Sequence, residues 1–184
     1  MSLHVDFDRD LWIYVPAEWP WEAYDSLEQW SATLVGVLGD AYGYDAAMRD
    51  WLSATVQGMS RGIDELEHRF AYLSRPHETL GIASIYELPT RPDSPLEELV
   101  GVGDPRATRP VEASVFTGGR LGDGMTATHH VVDDDGTVSV VTHWAWRIDE
   151  RDVLMIVGDF DLARFESLRA DYDTLARAIG TSED

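Results

Sequence analysis

Lysine, asparagine and cysteine are all absent from this 184-residue chain. Without lysine there is no Schiff-base amine and no phosphate-binding lysine of the P-loop or kinase kind. Without cysteine there is no thiol nucleophile, no disulfide and no thiolate zinc site. Without asparagine there is no N-glycosylation sequon. Long apolar runs are missing too, since no stretch approaches the roughly 20 residues that span a bilayer. The segment from Met1 to Asp10 carries Asp6, Asp8 and Asp10 where a secretory signal needs a basic then an apolar run, so the chain reads as cytoplasmic. Lysine and asparagine have A-rich codons, and their joint absence points to a GC-rich bacterial genome.

Positive charge is scarce. All fourteen basic residues are arginine, set against 34 Asp plus Glu, for a formal net charge of −20. Nucleic acid and anionic membrane surfaces bind through neutralising Lys and Arg, so both are disfavoured as partners. A basic protein partner suits the charge, and so does plain solubility. The hydrophobic fraction of 44%, with seven Trp, seven Tyr and five Phe, is enough to build a core.

Along the chain, Leu11 to Val15 reads as a short strand closed by Pro16. Pro20 suits a first helical turn. Tyr24, Leu27, Trp30, Leu34, Val35 and Leu38 follow at helical spacing, with Gly39 as the expected stop. Asp45 is a good N-cap for a second helix through Met48, Trp51, Leu52, Val56 and Met59. The texture then changes to period 2. Strands are expected at His68–Leu73, Leu80–Leu88, Val111–Thr117, Met125–Val132, Thr137–Ile148 and Val153–Val157, with a short helix at Ser94–Val100. A closing helix starts near Asp161, and Asp171 could cap a second piece of it. The expected fold is one α+β domain: a strand plus helical hairpin over 11–60, an antiparallel β-meander sheet over 68–160 and a helix over 161–180.

The 125–148 hairpin holds the main site candidates. Asp135-Gly136 between alternating runs suggests a two-residue turn, with Asp134 opposite Thr137. That register places Thr128 opposite His143 and gathers Thr128, His130, His143 and Arg147 on one face. Such a set suits an anion, or a metal if Glu112 or Asp159 joins it. It equally describes the wetter face of a half-exposed sheet. A one-residue change in the turn would part His143 from His130. His129 falls on the apolar face in this register, as a hydrogen-bonded core histidine.

Other motifs fail on context. Gly122-Asp123-Gly124-Met125-Thr126-Ala127 matches a dinucleotide-binding string, yet β-type alternation follows it and not a helix. Asp133-Asp134-Asp135-Gly136 lacks the carboxylate spacing of an EF-hand. There is no zinc-protease, deaminase or hydrolase-elbow signature, so no catalytic residue, metal or cofactor is assigned. Trp30, Trp51, Trp144 and Trp146 fit core faces by period, while Trp12, Trp19 and Trp21 are candidate interface residues.

The strand Val138–Ile148 (VSVVTHWAWRI), the strand Val153–Phe160 (VLMIVGDF) and the helix from Asp161 to Gly180 resemble the Mog1/PsbP-type α/β sandwich. The resemblance covers residues 68 to 180 and is carried by pattern. It implies a meander crossed by a closing helix, in a group of mostly non-enzymatic adaptors and chaperone-like binders without common active-site residues. Three readings follow. One is a non-catalytic adaptor or chaperone-like domain with a protein partner. Another is an enzyme binding a small molecule or metal through Thr128, His130, His143 and Arg147. The third is a homo-oligomer formed through that sheet face or the N-terminal tryptophans.

Overall fold

The computed structural model describes residues 2–132 and 135–182. The chain divides into two compact units, Tyr14–Glu65 and Met1–Ile13 with Leu66–Asp184.

The smaller unit is a helical hairpin of α1 (Leu27–Tyr42) and α2 (Ala46–Met59). Ser26 caps α1 by accepting from the Gln29 amide at 3.3 Å, and the Gln29 side chain accepts from the Asp25 amide at 2.8 Å. This reciprocal pair satisfies amides that the first turn leaves free. The helix begins past Pro20, whose neighbours are held by ring packing instead. Trp19 lies 6.0 Å from Trp30, and Trp21 stacks on Tyr24. It also runs through the expected stop at Gly39 and ends at Gly43, whose φ of 66° is the left-handed cap conformation. Gly39 lies within the helix with the Arg49 guanidinium over its bare Cα, where a Cβ would meet it at 2.5 Å. Asp45 caps α2 at the Met48 amide, 2.9 Å away, as its position in the sequence suggests. The buried stripe of α2 is Leu52, Val56 and Met59. Trp51, one step off that stripe, is 41% exposed and so departs from the expected core role.

The larger unit is built on strands β1 (Ser2–Val5), the first half of β2 (Trp12–Val15), β3 (Glu67–Arg75), β4 (Thr79–Pro89), β5 (Ser114–Gly119), β6 (Gly122–Val132), β7 (Val138–Ile148), β8 (Arg151–Asp159) and β9 (Ile179–Ser182). Seven of these form one sheet in the order β2-β3-β4-β8-β7-β6-β5, with antiparallel ladders from β3 to β5. The meander is the run β5 to β8, and its last strand docks on β4. The connection over 90–113 therefore crosses from the sheet centre to its far edge, carrying the short helix α3 (Leu96–Leu99). The pairing of β1 with β9 has no counterpart in the sequence reading, because Ser2 meets Ser182 across almost the whole chain.

Helix α4 (Leu162–Ala178) is one continuous helix through Asp171, capped by Asp161. Its apolar stripe of Phe165, Leu168, Tyr172 and Leu175 is buried. It packs on the sheet face that carries Trp144. Trp144 donates Nε1–H to Asp173 at 3.2 Å, and a Cβ on Gly81 would meet the Tyr172 hydroxyl at 2.5 Å. Trp144, Trp146, Met155 and Ile85 are at most 2% exposed, which makes this face the main core. A second, smaller core of Val100, Ala127, Ala145 and Leu154 lies on the opposite face, with Leu96 and Leu99 against it.

The β6–β7 register differs from the expected one by a single residue. Val132 pairs with Val138 and Ala127 with His143, so five residues separate the last paired positions. Asp133 and Asp134 lie outside the described residues. Because strand side chains alternate between faces, this slip exchanges every facing relationship across the hairpin. Thr128 now stands opposite Thr142, and His130 opposite Val140.

Candidate functional site

The register divides the four hairpin residues between the two faces. Thr128 and His130 lie on the face covered by α4. There the Thr128 hydroxyl hydrogen-bonds Thr142 at 2.7 Å and accepts from Arg169 at 3.2 Å. His143 and Arg147 lie on the other face. Arg147 is already engaged, donating Nε and Nη2 to the two Asp152 carboxylate oxygens at 2.8 and 3.0 Å and Nη1 to the Ser94 carbonyl at 3.1 Å. Of the three tryptophans marked for an interface, Trp12 is only 3% exposed and packs edge-on against Tyr72. Trp19 and Trp21 are half-buried.

The face that carries His143 also carries His129. These two rings meet at 5.3 Å between centroids and 62° between planes. They occupy diagonal positions, since His129 is opposite Val141 and His143 opposite Ala127. Both line a cleft of about 400 Å³ floored by Val141 and Ile156 and bordered by Asp104 and Arg106 at one end and Phe160 at the other. The loop after α3 reaches this cleft through Gly101. Its φ is 92°, and a Cβ there would sit 2.6 Å from His129 Cε1, so both backbone conformation and space require glycine.

The polar groups of the cleft fall into two sets. The charged ones are paired. Arg106 donates Nη2 to Asp104 Oδ2 at 2.9 Å, and Arg164 donates to Asp159 at 2.6 Å. The Arg106 hydrogen bonds hold Asp104 below the ordinary carboxylate range. The histidines are different. His129 is 4% exposed, and neither of its ring nitrogens has a hydrogen-bond partner among the described residues. The Nδ1 of His143 likewise has no partner among them. Burial pushes His143 down to about 4, and it lowers His129 as well. Both rings are therefore uncharged near neutral pH. His129 departs from the hydrogen-bonded core histidine suggested by the sequence. It lies in a core-like position with its nitrogens unused.

The His129-His130 doublet was the available signal for this pair. Adjacent strand residues point to opposite faces, so one of the two had to share a face with His143. Choosing which one required the register, and the Asp-Gly turn signal misassigned it by one residue. No group of three His, Asp or Glu side chains among the described residues is placed to hold a metal ion. Neither ring is tied to a carboxylate or hydroxyl in the manner of a proton relay. What remains is a recess lined with hydrogen-bonding groups on an apolar floor.

No protein-family model matches the chain, and no curated protein matches it. A solved structure of a mutant of protein Mog1 is similar over 64% of this chain and 73% of that one, at 14% identity and a TM-score of 0.38. The chain thus combines an α+β fold on an antiparallel sheet with a weak Mog1-like resemblance that concerns the fold alone.

Proposed function

We propose that this protein is a non-catalytic binding domain for a basic protein partner. The observation that carries the proposal is the distribution of charge. Of the fourteen arginines, at least nine form ion pairs with acids of the same chain. Most of the scarce cations are thus engaged internally, while the acids outnumber the arginines by 20 (34 against 14). In the helical unit, Tyr14–Glu65 holds nine acids and two arginines, and Arg49 is paired to Asp40. The same unit exposes Val37 at 62%, Trp51 at 41% and Tyr42 at 39%. Apolar and aromatic side chains within a field of one sign supply both contact energy and electrostatic steering. On this reading the domain is cytoplasmic, needs neither cofactor nor metal, and stays clear of nucleic acid and membrane. No helix among the described residues is long and apolar enough to cross a bilayer.

The test is affinity capture from a bacterial host at low salt, followed by association kinetics with the captured protein. A basic partner is expected, with an on-rate that falls steeply as ionic strength rises and a complex weakened by Trp51→Ser. Retention of no protein at low salt, or an on-rate indifferent to salt, would sink the proposal.

A further inference from the structure

The His129–His143 cleft is not used by that reading and points to a second activity. We infer that it is a binding site for a neutral small molecule with an apolar body and a head that carries a hydrogen-bond donor beside an acceptor, such as a primary carboxamide or an alcohol. Three features converge on this class. First, buried polar groups are ordinarily satisfied, and leaving one bare is costly. Here three ring nitrogens on two adjacent side chains are without a protein partner among the described residues, and all of them belong to residues that line one cleft.

Second, the pattern of those nitrogens specifies a complement. The His143 Nδ1 has no partner among the described residues and, in a neutral ring, is either an N–H or a lone pair. A neutral His129 offers one N–H and one lone pair. The matching head therefore both donates to a ring lone pair and accepts from a ring N–H. A carboxylate fails this condition because it only accepts, and an ammonium fails it because it only donates.

Third, the charges that line the cleft are paired with one another or with a neighbour. Asp104 is paired with Arg106, Asp159 with Arg164, and both rings are neutral. An ionic ligand would lose its hydration and find only counter-charges that are already paired. The floor of Val141 and Ile156 and the 72% exposed Phe160 ring at the rim suit an apolar body. A volume of about 400 Å³ falls within the range of small-molecule clefts.

The proposal is tested on the full chain by two-dimensional NMR of the Gly101 amide and the two imidazoles. The probes are benzamide and benzyl alcohol, with benzoate, benzylammonium and Zn²⁺ as the contrasting set. The two neutral probes are expected to give saturable shifts at Gly101, His129 and His143 with affinities of about 10 mM or better, as suits molecules of this size. Binding should weaken roughly tenfold or more in His129→Phe and in His143→Phe. If a variant does not fold, the contrast among probes on the wild-type chain decides alone. Equal or stronger binding of either charged probe, Zn²⁺ shifting the two rings in place of the neutral probes, or no response to any probe overturns the inference. The outcome is independent of whether a basic protein partner is found.

Discussion

His129 and His143 sit on adjacent strands with ring centroids 5.3 Å apart, and neither His129 nitrogen nor His143 Nδ1 has a hydrogen-bond partner among the described residues. Protonating either one places a buried charge beside Arg106 and the other imidazole. Asp104 counters only in part, because it is already committed to Arg106. A histidine whose folded pKa is depressed stabilises the fold above its unfolded pKa and loses that contribution as pH falls toward the folded value. For His143 the window runs from 6.5 down to about 4. We expect about 3 kcal/mol of stability to disappear across it, with His129 adding to the loss in the same direction. Urea unfolding at about pH 7 and about pH 4.5 measures the difference. His143→Phe should flatten it, and an unchanged slope in that variant would refute the assignment. Carboxylates held low, such as Asp104 and Asp152, titrate below this window and do not mimic the effect.

Arg147 and Asp152 close the β7–β8 hairpin with two parallel hydrogen bonds, and Asp152 also accepts from the Thr90 hydroxyl at 3.1 Å. Asp152 is 3% exposed, so its carboxylate depends on these donors for the solvation it has lost. Removing the guanidinium in Arg147→Met strands a buried charge and should cost about 3 kcal/mol. Removing both charges in Arg147→Met with Asp152→Leu should recover most of that loss. A double-mutant cycle read by urea midpoint separates the two outcomes, and strict additivity would count against the pairing.

The start of α4 offers a smaller, local test. Asp161 Oδ1 accepts from the amides of Ala163 and Arg164 at 3.0 and 3.1 Å. Asp161→Ala should cost about 1 kcal/mol, and Asp161→Asn much less, because the amide oxygen keeps the cap. In a chain of this size the alanine variant should melt roughly 2–4 °C lower. Equal melting of the two variants would show that charge, not capping, is what matters there.

The same cap shows which parts of the structure were legible beforehand. Asp45 and Asp161 lie directly before periodic apolar runs, and local rules find both. The strands of the meander follow from their alternation, and α4 from its stripe. Three features escaped for three different reasons. Gly39 has a stop residue's identity, but it lies inside α1 with the side chain of Arg49, ten residues later, packed over it. The β1–β9 pair joins residues near opposite ends of the chain, which no local pattern encodes. The β6–β7 register rests on the length of one turn, and an Asp-Gly signal fixes that length only to within a residue. Since facing alternates with every step, this small uncertainty moved His143 from the company of His130 to that of His129. The residue types at the cleft were thus visible in the sequence, while their grouping was not.

Two glycines of the sheet provide the last test, because they differ in what surrounds them. A Cβ on Gly124 would stand 2.5 Å from the Ala145 carbonyl oxygen and 2.6 Å from the Trp146 ring. The carbonyl belongs to the neighbouring strand β7 and cannot turn aside, and the Trp146 ring is fully buried. Gly124→Ala should therefore cost about 2 kcal/mol or more through overpacking. On Gly158 the nearest atoms, the Val140 carbonyl and a Val141 methyl, lie at 3.5 and 3.6 Å, which is ordinary contact. Gly158→Ala adds no clash and restricts the unfolded chain, so it should be neutral or stabilising by up to about 1 kcal/mol. Urea midpoints for the two variants should move in opposite directions or differ widely. If both alanines destabilise alike, the contrast in packing at these positions is wrong, and with it the close approach of β6 to Trp146 on which the main core depends.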